Sequence, residues 1–123
     1  MEDYRVQIIK ISLVPKETID DKLFTGRVSL QPLLPESKDY KVSVVHFGKG
    51  VRNKLHKHNS DQILIVTGGK GFVANEYEKQ EVGVGDIILF PAGEKHWHGA
   101  TEDSDFSHIY ILKKDQKTIQ VEI

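Results

Sequence analysis

His56 and His58 stand two positions apart in a stretch that reads as extended, so both side chains fall on one face and can converge on a single ion. Gln62 follows the turn-forming Asn59-Ser60-Asp61 at the start of the next extended segment, and His96 opens another just past Pro91-Ala92-Gly93. The set His56, His58, Gln62 and His96 is therefore expected to bind a divalent transition metal. Imidazole suits manganese, iron, zinc, nickel and copper without selecting among them. An ion with positions left open polarises a carbonyl or lowers the pKa of bound water, and iron or manganese adds dioxygen chemistry. All of these donors are neutral. Nearly the full double charge of the ion would remain for the open positions, which favours an anionic small-molecule ligand such as a carboxylate or an enolate.

Further residues offer acid-base and binding functions. His98 lies two positions after His96 and shares its face, and His108 and Tyr110 share a face of a later segment. An imidazole near a cation has its pKa pushed down, so His98 and His108 are candidates for proton transfer. Arg52 is a candidate anchor for a substrate carboxylate, with a surface ion pair as the competing reading, and Tyr110 a second substrate contact. His46 has no partner at ligand spacing and is read as an ordinary strand residue.

The elements that must position these groups are strands. Segments 6–13, 27–31, 40–47, 62–67, 71–75, 86–90, 96–100, 106–112 and 118–123 are short, rich in Val, Ile and aromatics, and often alternating. Gly48-Lys49-Gly50, Gly68-Gly69, Gly83-Val84-Gly85 and Pro91-Ala92-Gly93 separate them at the intervals of an all-β sandwich or barrel. Residues 15–24 hold the one expected helical turn, with Pro15 near its start. Pro32 and Pro35 bracket an expected loop. Gly50, Gly69, Gly85 and Gly93 fall where tight turns need unusual backbone angles, and Tyr40, Phe47, Phe72, Phe90 and Phe106 are expected in the core.

Composition narrows the class. The chain of 123 residues suits one domain, with an N-terminal strand and short loop or helix over about 1–35 and the motif-bearing barrel over about 40–112. A formal charge of -1 with interspersed Lys and Glu makes nucleic acid an unsuitable partner. The chain has no cysteine, so a disulfide scaffold, thiolate metal sites and a cysteine nucleophile are excluded. Met1 to Arg5 lack the apolar run of a signal peptide and no segment is apolar enough to span a bilayer, so a cytoplasmic location is expected and a membrane role is not.

Gly50, His56, His58, Gln62 and Gly69, followed by Gly85, Pro91, Gly93 and His96, resemble the two motifs of the cupins, with Gln62 in place of the usual Glu and Ala100 in place of the usual Asn. Phe24 to Val28, Gln62 to Gly71 and Lys95 to Thr101 resemble a narrower subgroup, found alone or fused to carboxymuconolactone decarboxylase or alkylhydroperoxidase-like domains, in which the Gln is usual and Arg52 recurs. The resemblance implies a double-stranded β-helix, or jelly-roll barrel, with a mononuclear metal site and a homodimer. Three functions are compatible with it. The favoured one is a Lewis-acid enzyme for isomerisation, decarboxylation or hydrolysis; the others are an iron- or manganese-dependent dioxygenase and a non-catalytic small-molecule binder. The alternating ends 6–11 and 118–123 are expected to add to a neighbour's sheet.

Overall fold

The computed structural model describes residues 4–123. They form a single all-β domain whose ten strands run β1 (Glu17–Ile19), β2 (Val28–Leu33), β3 (Tyr40–Phe47), β4 (His56–His58), β5 (Gln62–Asn75), β6 (Lys79–Gly83), β7 (Ile87–Phe90), β8 (His96–Ala100), β9 (Phe106–Lys113) and β10 (Thr118–Gln120). Every pairing is antiparallel, along the path β1-β2-β3-β9-β5-β8-β4-β10, with β6 and β7 both paired to β5. The sheet curls into a barrel because β5 belongs to both of its halves. Its first half pairs with β9 and β7, its second half with β8 and β6.

The register shift between Val66 and Gly68 marks where β5 bends from one half to the other. The sequence suggests two strands and a Gly-Gly turn here. The structure has one 14-residue strand, with the glycines inside it. Gly69 has φ +68°, and a Cβ there would run into the carbonyl of Asp105, so the bend needs glycine on both counts. Gly50, Gly85 and Gly93 also have positive φ.

Alternation divides each strand between core and surface. On β9, Phe106, His108, Tyr110 and Leu112 are buried while the residues between them are partly exposed. Val28, Val45, Phe47, Leu64, Val66, Phe90 and Phe106 join Tyr110 and Leu112 in one cluster that fills the barrel.

Several local expectations are corrected. Residues 6–10 belong to no strand and Ile11–Leu13 form a 3-10 turn, because β pairing needs a partner edge and this segment meets none among the described residues. The expected helical turn contains instead the strand β1, whose Thr18 and Ile19 pair with Ser29 and Val28; pairing to an open edge outweighs a single proline start signal. Pro32 lies inside β2, beyond the stretch that β1 covers, so its missing N–H sits on a strand paired on one side only. Tyr40 is exposed, at the outer end of β3. Strand β6, which reads Lys-Gln-Glu-Val-Gly, carries no apolar alternation and was not expected. β10 spans Thr118–Gln120, shorter than the expected 118–123, and pairs on one side with β4.

Candidate metal centre

The short strand β4 presents His56 and His58 to the interior and Lys57 outward. Its register with β8 sets His56 opposite His96, so histidines forty residues apart in the chain become cross-strand neighbours. The three imidazoles are buried, and their ligand atoms all lie within 4.8 Å of one another. Gln62, also buried, begins β5 with its Oε1 at 3.1 Å from His58 Nε2 and 3.2 Å from His96 Nε2.

The second nitrogen of each ring is committed to an oxygen. His56 Nδ1 donates to the Lys54 carbonyl at 2.6 Å and His96 Nδ1 to the Glu94 carbonyl at 3.0 Å. His58 Nδ1 lies 2.8 Å from Thr118 Oγ1 and 3.0 Å from Gln116 Oε1, both supplied by the C-terminal segment. Protons held at Nδ1 leave the Nε2 lone pairs facing inward, the arrangement found around metal-bound histidine. Lone pairs of His58 and His96 then face the carbonyl oxygen of Gln62, acceptor against acceptor. A cation between them turns that repulsion into coordination, so the donor set fits a divalent ion.

The environment keeps these rings neutral. Burial pushes His56 down to about 4, with neighbouring His58 adding to the effect, and pushes His96 down to about 3, with His56 adding to it. His58 is lowered by burial as well. Phe90 stacks on His96 with centroids 3.9 Å apart and planes 9° from parallel, which locks that ring's orientation. A cavity of about 420 Å³ opens beside His56, His58 and Gln62. Ile19, Leu23, Phe24, Leu30, Val45 and Leu112 give it apolar walls, while Lys41 and Asp21 are its charged residues.

The remaining sequence candidates are dispersed around this centre. Tyr110 is buried and lines the cavity. His98 is buried one ring beyond the ligands, 6.5 Å from His56 and 6.3 Å from His96 between centroids. His108 meets it edge-on at 4.8 Å. Neither lines the cavity. Burial lowers both, His108 to about 4, and for His98 the adjacent His108 adds to the effect. Arg52 turns away from the cavity: its guanidinium makes a two-pronged contact with the Glu122 carboxylate, at 2.8 and 3.1 Å, and lies over the Trp97 ring. This is the ion-pair reading, and hydrogen bonds from Arg52 and the Leu55 amide hold Glu122 down to about 2. His46 contacts Gln31 at 2.7 Å, remote from the ligands.

Sequence spacing did not reveal Asn53. Its buried side chain accepts the His98 backbone N–H at 2.8 Å, and its amide nitrogen lies 3.3 and 3.4 Å from the two ring nitrogens of His98. It also lines the cavity, so it bridges the cavity wall and His98. Gln116 and Thr118 were equally unmarked, since nothing near them in the chain points to a metal.

The fold agrees with the comparisons. The cupin domain model matches residues 43–112, and the chain belongs to the cupin family. A curated relative, the (R)-mandelonitrile lyase of Granulicella tundricola, is 37% identical over 94 residues, covering 74% of this chain and 72% of that protein. Among solved structures, a cupin-like protein from Thermotoga maritima superposes with a TM-score of 0.82 at 29% identity, covering 89% of this chain and 88% of that one. The polyketide cyclase RemF from Streptomyces resistomycificus gives 0.86 over 97% of this chain and 87% of its own, at 14% identity, a likeness of fold alone. Among the described residues, no helix is long and apolar enough to cross a membrane.

Proposed function

We propose that this chain is a mononuclear metal-dependent lyase, holding a divalent ion with His56, His58, Gln62 and His96. The observation that carries the reading is the convergence of buried imidazole nitrogens within 4.8 Å, with their other nitrogens tied to oxygens. The 37% relative named as a lyase favours carbon–carbon bond cleavage, the class to which decarboxylation also belongs, over isomerisation or hydrolysis. When bound, the ion would act as a Lewis acid on a substrate oxygen.

The rest of the work falls to the chain. The apolar walls suit a substrate with an aromatic or aliphatic body and one oxygenated end, such as an α-hydroxynitrile or α-hydroxy acid. The hydroxyl proton passes to a water molecule in the cavity, and neutral His98, behind the cavity wall and backed by His108, is proposed to act through Asn53, which it helps to position in that wall. For a hydroxynitrile, loss of that proton accompanies formation of the carbonyl. The carbon–carbon pair leaves as cyanide, which takes a proton back. Tyr110 is proposed to contact the substrate from the cavity wall. Arg52, engaged by Glu122, is proposed to act on it only indirectly, by bracing the segment that leads into β4.

The test combines metal analysis with turnover. Protein purified without chelator or a polyhistidine tag should carry near-stoichiometric metal, and a His56→Ala/His58→Ala variant that still folds should lose it. Metal-loaded protein should release an aldehyde from mandelonitrile or a related hydroxynitrile, and His98→Ala should reduce kcat while retaining metal. A folded protein that takes up no ion even after reconstitution removes the proposal. Metal binding without turnover on any hydroxynitrile or hydroxy acid leaves a binding barrel as the better account.

A further inference from the structure

The outer face of the barrel carries a row of polar side chains that the proposed chemistry leaves unused. The registers of β2, β3, β9 and β5 set Ser29, His46, Ser107 and Gly68 side by side, and alternation turns the three side chains outward, away from the buried Val45, Phe47 and His108. They line a cavity of about 570 Å³ that shares no residue with the one beside the metal centre. His46 is fixed in orientation and tautomer. Buried Gln31 donates its amide nitrogen to the carbonyls of Ile11 at 3.1 Å and Val14 at 2.8 Å, so its Oε1 faces His46 and accepts the Nε2–H at 2.7 Å. Burial and the Lys16 charge hold His46 below its usual pKa, which leaves Nδ1 bare at neutral pH, with no partner among the described residues.

The charges around this floor are of two kinds. Lys16, Arg27 and Lys49 line the cavity, and none of them makes an ion pair or a side-chain hydrogen bond among the described residues. The loop before β9 supplies Asp103 and Asp105. Asp103 is engaged by Thr101 at 2.8 Å and Lys70 at 3.4 Å, whereas the Asp105 carboxylate has no such partner among the described residues. We infer that this cavity binds a phosphate monoester that also carries hydroxyl groups, the chemistry of a sugar phosphate. The three cations provide charge-assisted hydrogen bonds to a dianionic phosphate, and the hydroxyls of Ser29 and Ser107 add neutral donors. Asp105 and the bare Nδ1 of His46 are acceptors, which hydroxyl groups satisfy and a phosphate alone does not. The site does not depend on the metal or the reaction proposed above.

Nuclear magnetic resonance titration at low ionic strength tests this, with ribose 5-phosphate, inorganic phosphate and free ribose as probes. Ribose 5-phosphate should move the backbone amide signals of Ser29, His46 and Ser107 in metal-loaded and chelator-treated protein alike, which separates this site from phosphate held at the metal centre. It should bind about tenfold or more tightly than inorganic phosphate, and free ribose should move none of these signals. Arg27→Gln/Lys49→Gln changes two exposed side chains, so it should keep the wild-type unfolding curve while weakening both anions by about tenfold or more. Asp105→Asn should close the gap between ribose 5-phosphate and phosphate, because only the hydroxyl groups use that carboxylate. No shift in the Ser29–His46–Ser107 row, an affinity for ribose 5-phosphate no greater than for phosphate, or wild-type affinity in the Arg27→Gln/Lys49→Gln variant overturns the inference.

Discussion

Replacing His108 with leucine should separate what this histidine does for stability from what it does for function. The ring is fully buried between Phe47, Phe106 and His98, at centroid distances of 5.8, 5.4 and 4.8 Å. Neither of its nitrogens has a well-aligned hydrogen-bond partner among the described residues. Burial lowers it from 6.5 to about 4, so in the unfolded chain it protonates as pH falls through 6.5 while in the folded chain it stays neutral to about 4. Its lowered pKa therefore works against the fold in acid: stability is full near pH 7 and is lost as pH drops through that window. At about 1.4 kcal/mol per pKa unit the loss saturates near 3 kcal/mol, of which about 2 kcal/mol is felt at pH 5. Leucine, of similar size and without polar atoms, abolishes this loss and relieves about 1 kcal/mol or more of unpartnered polar burial at pH 7. Urea unfolding of metal-free wild type and His108→Leu at pH 7 and pH 5 reads both quantities. The variant should be at least as stable as wild type at pH 7 and ahead by about 2 kcal/mol more at pH 5. The buried histidines that do not touch His108 contribute alike to both proteins and cancel; the adjacent His98 loses the part of its lowering that His108 adds, which works in the same direction as the loss of His108 itself. Equal acid losses in the two, or a marked loss of stability in the variant at pH 7, would refute the argument. A more stable variant with reduced turnover would show that the imidazole is retained for chemistry.

Two further substitutions probe the metal centre itself. Gln62→Glu places a carboxylate where the amide oxygen lies 3.1 and 3.2 Å from two imidazole nitrogens, so metal affinity should rise about tenfold or more while Lewis acidity falls; chelator competition and kcat should move in opposite senses, and an unchanged affinity would place Gln62 outside the coordination sphere. Gly93→Val forces a β-branched residue into φ +84°, at an expected loss of about 1–3 kcal/mol by thermal unfolding, and should weaken metal binding by disturbing the turn that leads to His96; a variant of wild-type stability and full metal would contradict it.

How much of this was legible in the chain follows from the range of each interaction. The clustering of His56 with His58 was readable because alternation puts both on one face, and the motif glycines mark positive-φ turns, which are local requirements. Strands with clear alternation were placed with their ends: β3 and β8 match the expected segments, and β9 differs by one residue. Only the tertiary structure decided what depended on pairing. The β4–β8 register brought His96 to His56, and β10 supplied Thr118 and Gln116 to His58 from the far end of the sequence. It also turned Arg52 toward Glu122, put Asn53 against His98, made one bent strand of two expected ones and drew a polar β6 into the sheet. A side chain's own neighbourhood in sequence specifies its face and backbone angles, whereas its partner is chosen by which distant edge the folded barrel sets beside it. For that reason the residues of the candidate centre could be picked out in the sequence, but the hydrogen bonds that orient them and the shape of the cavity beside them could not.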